Sequence, residues 1–227
     1  MSVSPAWEVL MDSVSVYTRK VPVAGDLTGW VTVPTGFDPA KERLPLILFL
    51  HGAGERGTDL ELVKVHGIAK LFCANPDYHG LRVITASPQC PEGMVWNHLA
   101  YQVKEWIEAV AEDLNADKGR ISVTGLSMGG FGTWELLTTF PEMFYRGAPI
   151  CGGGMSWRAG ALKSGRIRVY HGLDDACVPF YYSQVMVEAA RGNGIEISLT
   201  AYDRVGHGSW VPAYEQSDLI EWLADAI

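Results

Sequence analysis

The stretch from Arg120 to Leu137, RISVTGLSMGGFGTWELL, is the feature of this sequence that most constrains the fold. The β-branched run Ile121 to Thr124 predicts a strand, and an apolar helical pattern follows from about Gly129. Ser127 lies on the turn between them, with glycines at 125 and 129. So sharp a turn strains the backbone of its central residue, and a Cβ two positions away on either side would collide. The stretch therefore predicts a strand, a tight turn and a helix, with the Ser127 hydroxyl exposed above a sheet; the alternative is a glycine-rich helix start with an incidental serine.

Strand-like runs alternate with helical patterns along most of the chain. Six further runs consist mainly of β-branched and apolar residues and end at small or polar residues: GWVTVP, LPLILFLHG, LRVITASP, RGAPICGG, RIRVYHG and IEISLTAY. Helical spacing of apolar residues occurs from Leu99 to Leu114, from Tyr182 to Ala189 and from Leu219 to Ile227. This alternation predicts βαβ units and a mostly parallel central sheet with helices on both faces. We find no repeat or linker and predict a single domain over residues 1–227.

Composition and charge exclude several classes of protein. Hydrophobic residues make up 48% of the 227 residues and charged residues 19%, which indicates a soluble globular chain. The formal charge is −8 and no basic stripe is present, so we expect no nucleic-acid partner. The start, MSVSPAWEVLMDSVSVYTRK, lacks a signal-peptide pattern, and no run approaches the roughly 18 apolar residues of a membrane span. We therefore expect a cytoplasmic protein without a membrane partner.

The four cysteines, at positions 73, 90, 151 and 177, lie far apart and form no C-x-x-C pair. This spacing indicates buried thiols rather than a disulfide or zinc framework, and we expect no metal site. Cys151 and Cys177 fall near the predicted functional residues, but neither lies in the serine turn, so we assign both to packing.

A serine hydroxyl needs a positioned base to act as a nucleophile, and after a turn of this kind the partners follow in the order serine, acid, histidine. Of six histidines, only His171 and His207 lie beyond Ser127, and only His207 follows a plausible acid loop. That loop, VYHGLDDACVP, carries Asp174 and Asp175 just past a predicted strand. The glycines that flank His207 allow its loop to bring the imidazole towards the serine; the alternative is a surface histidine. The spacing leaves open which aspartate is the acid.

The motifs GLSMGG, HGLDDACVP, VGHGSW and LFLHGAGERG resemble those of the α/β-hydrolase fold. More narrowly, they resemble the compact phospholipase/carboxylesterase, dienelactone-hydrolase-like and acyl-protein-thioesterase families. The resemblance runs from about Leu44 to the end, and the first 40 residues are expected to supply antiparallel edge strands. In these families the acid lies in H-G-x-x-D-x-x-V-P, which falls on Asp175. Dienelactone hydrolases use a cysteine where this chain has Ser127, which argues against lactone opening of that kind.

The resemblance also implies an oxyanion hole made by the backbone N–H groups of Ala53 and Met128, in a loop that His51 and Gly52 shape. It implies a catalytic set of Ser127, Asp175 and His207 that works without a metal or organic cofactor. We expect a serine carboxylesterase that acts on small-molecule esters with short-chain or aryl groups, including feruloyl-type esters. The alternatives are an acyl thioesterase, a lysophospholipase or a small serine peptidase, and a non-catalytic ligand-binding relative.

Substrate contacts are the least constrained part of the site. No long insertion separates RGAPICGG from RIRVYHG, which predicts an accessible pocket without a large lid. Trp96, Trp157 and Trp210 lie in predicted loops near the site, where they either line a cleft or cap the core. Glu55 and Arg56 either order the oxyanion loop or meet a polar group of the substrate. The sequence leaves a homodimer open.

Overall fold

The computed structural model describes residues 13–21 and 25–227, and its centre is one eight-stranded sheet. The strands are β1 (Val14–Val21), β2 (Gly25–Thr32), β3 (Leu46–Leu50), β4 (Ile84–Pro88), β5 (Ile121–Leu126), β6 (Arg146–Ile150), β7 (Arg168–Gly172) and β8 (Ser198–Tyr202). Their spatial order is β1-β2-β4-β3-β5-β6-β7-β8. β2 pairs antiparallel with both β1 and β4, and every other pairing is parallel. The prediction of a mostly parallel sheet is confirmed, and the antiparallel strands lie in the first 40 residues as expected.

In the described ranges, six helices cover the sheet on its two faces. They are α1 (Gly67–Ala74), α2 (Ala100–Asp113), α3 (Met128–Thr139), α4 (Tyr181–Gly192), α5 (Trp210–Glu215) and α6 (Leu219–Leu223). Side chains of α2, α3 and α4 share one apolar core with Leu46, Leu48 and Leu50 of β3. Side chains of α1, α5 and α6 share a second core with Ile47 and Phe49. Every residue of β3 is therefore buried, which explains its unbroken apolar sequence.

The structure adds elements that the sequence patterns did not single out. β1 and the short helices α1 and α5 are new, and the helical pattern after Leu219 ends at Leu223. α5 has six residues and contains Pro212, so it is too short to show a helical period. Residues 1–12, which carry most of the segment searched for a signal peptide, lie outside the described residues. Within the described ranges, no helix is both long and apolar enough to cross a lipid bilayer.

The carboxyl ends of the parallel strands meet at one edge of the sheet, where open α/β sheets carry their functional loops. Ser127 follows β5 directly, Asp175 follows β7, and His207 follows β8. Residues 151–167 connect β6 to β7 and contain only a short 3-10 segment, Ser156–Ala161, so no large lid is built between these strands. The fold thus gathers three distant polar side chains at one accessible edge.

Candidate active site

The turn at Ser127 has the strained geometry that its sequence predicts. Ser127 has φ 53° and ψ −117°, in the region that non-glycine residues rarely adopt, and α3 begins at the next residue. A Cβ on Gly125 would lie 2.5 Å from the carbonyl oxygen of Gly129. A Cβ on Gly129 would lie 1.9 Å from the carbonyl oxygen of Leu50, at the end of β3. Both positions therefore require glycine, and the packing leaves the Ser127 side chain partly exposed.

Three side chains form one hydrogen-bonded series at the edge of the sheet. The Nε2 atom of His207 lies 2.9 Å from the Oγ atom of Ser127, and Nδ1 lies 2.8 Å from the Oδ2 atom of Asp175. A carboxylate only accepts hydrogen bonds, so Nδ1 of the neutral ring carries the proton and donates it to Asp175. Nε2 is then an acceptor for the Ser127 hydroxyl. In this arrangement His207 is able to remove the proton from Ser127.

The Asp175 carboxylate is buried and held from several directions. Its Oδ1 atom accepts hydrogen bonds from the backbone N–H groups of Cys177, at 2.9 Å, and Val178, at 2.8 Å. Burial alone would raise the pKa of Asp175, but the hydrogen bonds from His207 and from the Val178 amide outweigh it and lower the pKa. Asp174 is exposed, and the structure gives it only a backbone hydrogen bond to Val205. Geometry therefore selects Asp175 over Asp174 as the partner of His207.

The two backbone groups expected to form an oxyanion hole occupy suitable positions. Met128 is the first residue of α3, so no carbonyl within the helix accepts its N–H. The positive end of the helix dipole also favours negative charge at this place. Ala53 is exposed and begins a 3-10 turn, Ala53–Glu55, directly after β3. Their service as oxyanion donors stays a prediction, to which the structure adds these two positions.

Of the two alternatives for Trp96, the structure supports packing in the core rather than lining the substrate cleft. The Trp96 side chain is only 1% exposed, and its Nε1–H donates to the carbonyl oxygen of His51 at 2.9 Å. Its ring also packs edge-on against the His51 imidazole, with the centroids 5.0 Å apart. The indole is drawn under the loop after β3 because a buried N–H needs an acceptor, and the loop carbonyl supplies one.

Glu55 and Arg56 belong to the loop after β3. Arg56 donates from Nε to the carbonyl oxygen of Ala53 at 3.0 Å, and so holds the loop from its outer side. Glu55 is buried, and in the described part of the chain its Oε2 atom has no hydrogen-bond partner. Its two oxygens lie 3.7 Å from His51 and 3.8 Å from His66, too far for hydrogen bonds. Arg56 therefore orders the loop, and a substrate contact for Glu55 stays a prediction.

Trp210 lies beside the imidazole of His207, while Trp157 stands apart. The ring of Trp210 is edge-on to His207, with centroids 5.4 Å apart, and it also packs against His66 at 5.3 Å. Trp210 is half-buried, so part of its ring borders the open edge. Trp157 is 81% exposed. Of the three tryptophans, Trp210 is the one that the structure places against the series from Ser127 to Asp175.

An aromatic group close to Ser127 escaped the sequence reasoning. It consists of Phe131, Tyr181 and Tyr182; the rings of Phe131 and Tyr182 are 5.8 Å apart and those of the two tyrosines 6.4 Å. Phe131 lies one helical turn after Ser127 and donates its N–H to the Ser127 carbonyl. Both tyrosines are exposed, at 65% and 44%. The signal was present in the run PFYY after the acid loop, but only the fold brings it to α3.

One cluster in the described ranges has the composition of a metal site. Potential ligand atoms of Cys151, Asp175 and His207 lie within 4.8 Å of one another. Burial raises the pKa of the Cys151 thiol to about 12, so this group holds its proton at neutral pH. Asp175 and His207 are already joined to each other. The donor set therefore fits a hydrogen-bonded series better than a bound cation.

Comparison with known proteins identifies the fold. A structure of a thermostable esterase matches 96% of this chain with 34% identity and a TM-score of 0.86, and the chain spans 64% of that protein. A ferulic acid esterase structure matches 94% of this chain and 98% of its own, with 14% identity and a TM-score of 0.71. Poly(3-hydroxyalkanoate) depolymerase C of Paucimonas lemoignei is 37% identical over 54 residues, which are 24% of this chain and 13% of the depolymerase.

The chain has the α/β-hydrolase fold, as its sheet order and these structural matches show. No family model matches the chain. The narrower resemblance to phospholipase/carboxylesterase and dienelactone-hydrolase-like families therefore stays a prediction.

Proposed function

We propose that this chain is a serine hydrolase that cleaves carboxylic esters through an acyl-serine intermediate. The observation that carries the proposal is the series Ser127–His207–Asp175, with two consecutive hydrogen bonds of 2.9 and 2.8 Å. The likeness to a thermostable esterase over most of the chain supports esters as the substrate class.

Each step of the reaction has a group to perform it. The Oγ atom of Ser127 attacks the ester carbonyl while Nε2 of His207 accepts its proton, and Asp175 stabilises the imidazolium that forms. The N–H groups of Ala53 and Met128 donate hydrogen bonds that stabilise the negative charge on the carbonyl oxygen. The imidazolium then gives its proton to the leaving alcohol, and the acyl group remains on Ser127. Water attacks the acyl-serine, His207 takes the water proton, and the acid leaves as Oγ regains a proton.

We propose short-chain or aryl esters, including feruloyl-type esters, as the substrates. Ser127 is partly exposed, and the short connection from β6 to β7 leaves the edge of the sheet accessible. The aromatic group of Phe131, Tyr181 and Tyr182 presents flat apolar surface one helical turn from the nucleophile. Such rings suit a planar acyl or alcohol group.

A fluorophosphonate probe tests the proposal, because it reacts with serines that an adjacent base activates. The native protein and a Ser198→Ala control, altered at an exposed serine of β8, are expected to label. Ser127→Ala is expected to remain folded and unlabelled. Folded native protein that does not react with the probe would contradict the proposal.

A panel of substrates then separates esterase activity from its alternatives. Rates on p-nitrophenyl acetate and methyl ferulate are compared with those on a palmitoyl thioester and an amide. We expect the two esters to have the higher kcat/KM. A preference for the thioester or the amide would replace the esterase proposal with a thioesterase or peptidase.

A further inference from the structure

The loop that carries Ala53 is held by an unusual contact within its own sequence. The Nδ1 atom of His51 lies 2.6 Å from the carbonyl oxygen of Gly52, the next residue along the chain. That carbonyl belongs to the peptide unit whose N–H is that of Ala53. The side chain of His51 therefore touches the far side of the group expected to bind the oxyanion.

The proton on His51 is assigned by the partner of its other ring nitrogen. The backbone N–H of Cys90 donates to Nε2 at 2.9 Å, so Nε2 is an acceptor and the proton of the neutral ring lies on Nδ1. Burial lowers the pKa of His51 to about 4, which keeps the ring neutral at ordinary pH. A carboxylate oxygen of Glu55, 3.7 Å from Nδ1, also favours a proton on that nitrogen. Nδ1–H thus donates to the Gly52 carbonyl.

The orientation of the peptide unit follows from its planarity. No cis peptide bond occurs among the residues that the structure describes, and in a trans unit the C=O and N–H point in opposite directions. A carbonyl held against His51 therefore turns the Ala53 N–H away from the ring, towards the exposed side of the loop. A flipped unit would break the His51 contact and present an oxygen, rather than a donor, to developing negative charge.

We propose that His51 is a positioning residue that locks the Gly52–Ala53 peptide with its N–H directed at the oxyanion. The proposal rests on the proposed esterase function and assigns His51 no contact with substrate. The hydrogen bond on the carbonyl also polarises the peptide, which strengthens its N–H as a donor. Trp96 supports the arrangement, since it packs on the ring and holds the His51 carbonyl.

Two isosteric substitutions separate the hydrogen bond that His51 donates to Gly52 from the one that it accepts from Cys90. In His51→Asn the amide nitrogen takes the place of Nδ1 and keeps the donor to Gly52, but the acceptor for Cys90 is lost. In His51→Gln the amide oxygen takes the place of Nε2 and keeps the acceptor, but the donor to Gly52 is lost. Thermal unfolding of both variants serves as the control for a merely structural role.

The readout is kcat and KM for p-nitrophenyl acetate. Because loss of one oxyanion donor costs roughly 100- to 1000-fold in kcat, we expect partial loss of orientation in His51→Gln to lower kcat on the order of 10- to 100-fold. KM is expected to stay nearly constant, because the oxyanion forms only after binding. His51→Asn is expected to keep kcat within about threefold of the native value. Equal losses in both variants, or a larger loss in His51→Asn, would overturn the proposal.

Failure of the proposed function has a different signature. Native protein would then neither label with a fluorophosphonate nor hydrolyse the ester. Crystal structures of the two variants test the lock independently of activity. A flipped Gly52–Ala53 peptide in His51→Gln and a native one in His51→Asn support it, and an unflipped peptide in both overturns it.

Discussion

The Oδ2 atom of Asp175 that receives His207 also has a second imidazole beside it, with Nε2 of His171 3.3 Å away. His171 is buried, and the same nitrogen donates to the carbonyl oxygen of Val178 at 2.8 Å. Together with the two backbone N–H groups on Oδ1, these contacts give both oxygens of the carboxylate hydrogen-bonding or polar partners. The protein therefore fixes the orientation of Asp175 before any substrate binds. Substitution of its carboxylate consequently tests its role directly.

Substitution of the two neighbouring aspartates tests the assignment of the acid. Asp175→Asn replaces an acceptor oxygen with a donor and favours the wrong tautomer of His207, so we expect kcat to fall by about 10⁴-fold. Asp174→Asn alters an exposed side chain and is expected to change kcat less than about twofold. Steady-state kinetics on p-nitrophenyl acetate measure both. A greater loss for Asp174→Asn would show that the other carboxylate serves His207.

Gly129 is predicted to tolerate no side chain. A Cβ there would overlap the Leu50 carbonyl, so Gly129→Ala must push α3 away from β3. We expect a loss of about 3 kcal/mol in the free energy of unfolding, together with loss of fluorophosphonate labelling. Gly192→Ala, at the end of α4 where a Cβ meets nothing within 4 Å, is the matched control and is expected to be neutral or slightly stabilising. Equal stability of the two variants in urea would contradict the packing argument.

The buried imidazole of His51 predicts a specific pH dependence of stability. Burial lowers its pKa from 6.5 to about 4, so between these values the unfolded chain binds a proton that the folded chain does not. The free energy of unfolding should therefore decrease as the pH is lowered from 6.5 to 4, by roughly 3 kcal/mol from His51 alone. Burial lowers the pKa of His171 as well, which adds a loss of the same sign.

Urea unfolding at pH 7, 5.5 and 4.5 measures this dependence. The comparison is between native protein and His51→Asn, which lacks the titrating ring. We expect the native curve to fall more steeply, and parallel curves for the two proteins would refute the contribution of His51.

Trp210 is predicted to hold the imidazole of His207 in place. Trp210→Ala removes the ring that packs edge-on to His207, and because small misplacements of a base are costly we expect kcat to fall on the order of tenfold. Trp210→Phe keeps an aromatic edge and is expected to stay within about threefold of native. Trp157→Ala, at a highly exposed position, provides the control with unchanged kcat. An unchanged kcat in Trp210→Ala would show that the contact is incidental.

Local patterns were sufficient where one physical constraint dominates a segment. β3 had to be apolar throughout because cores lie on both faces, and the turn at Ser127 required glycines because backbone atoms approach within contact distance. The order of serine, acid and histidine then left few choices. For this reason the sheet and the candidate site residues could be predicted from the sequence.

The directions of side chains in loops could not be predicted from the sequence in the same way. Trp96 and Trp210 both lie after strand-like runs, yet one is fully buried beneath His51 and the other borders His207. The indole N–H of Trp96 donates to the His51 carbonyl, whereas that of Trp210 has no hydrogen-bond partner in the described part of the chain, and tertiary packing decides this difference. The aromatic group of Phe131, Tyr181 and Tyr182 joins residues from two helices, so no single segment reveals it.

The approach of Gly129 to the end of β3 also sets a dimension of the site. The helix that begins with Met128 and the strand that ends at Leu50 meet at this backbone contact, so main-chain atoms set the distance between the two elements that carry the oxyanion donors. Side chains elsewhere on the rim are free to change with the shape of the ester. Substrate preference and the machinery for charge stabilisation are thereby able to evolve independently.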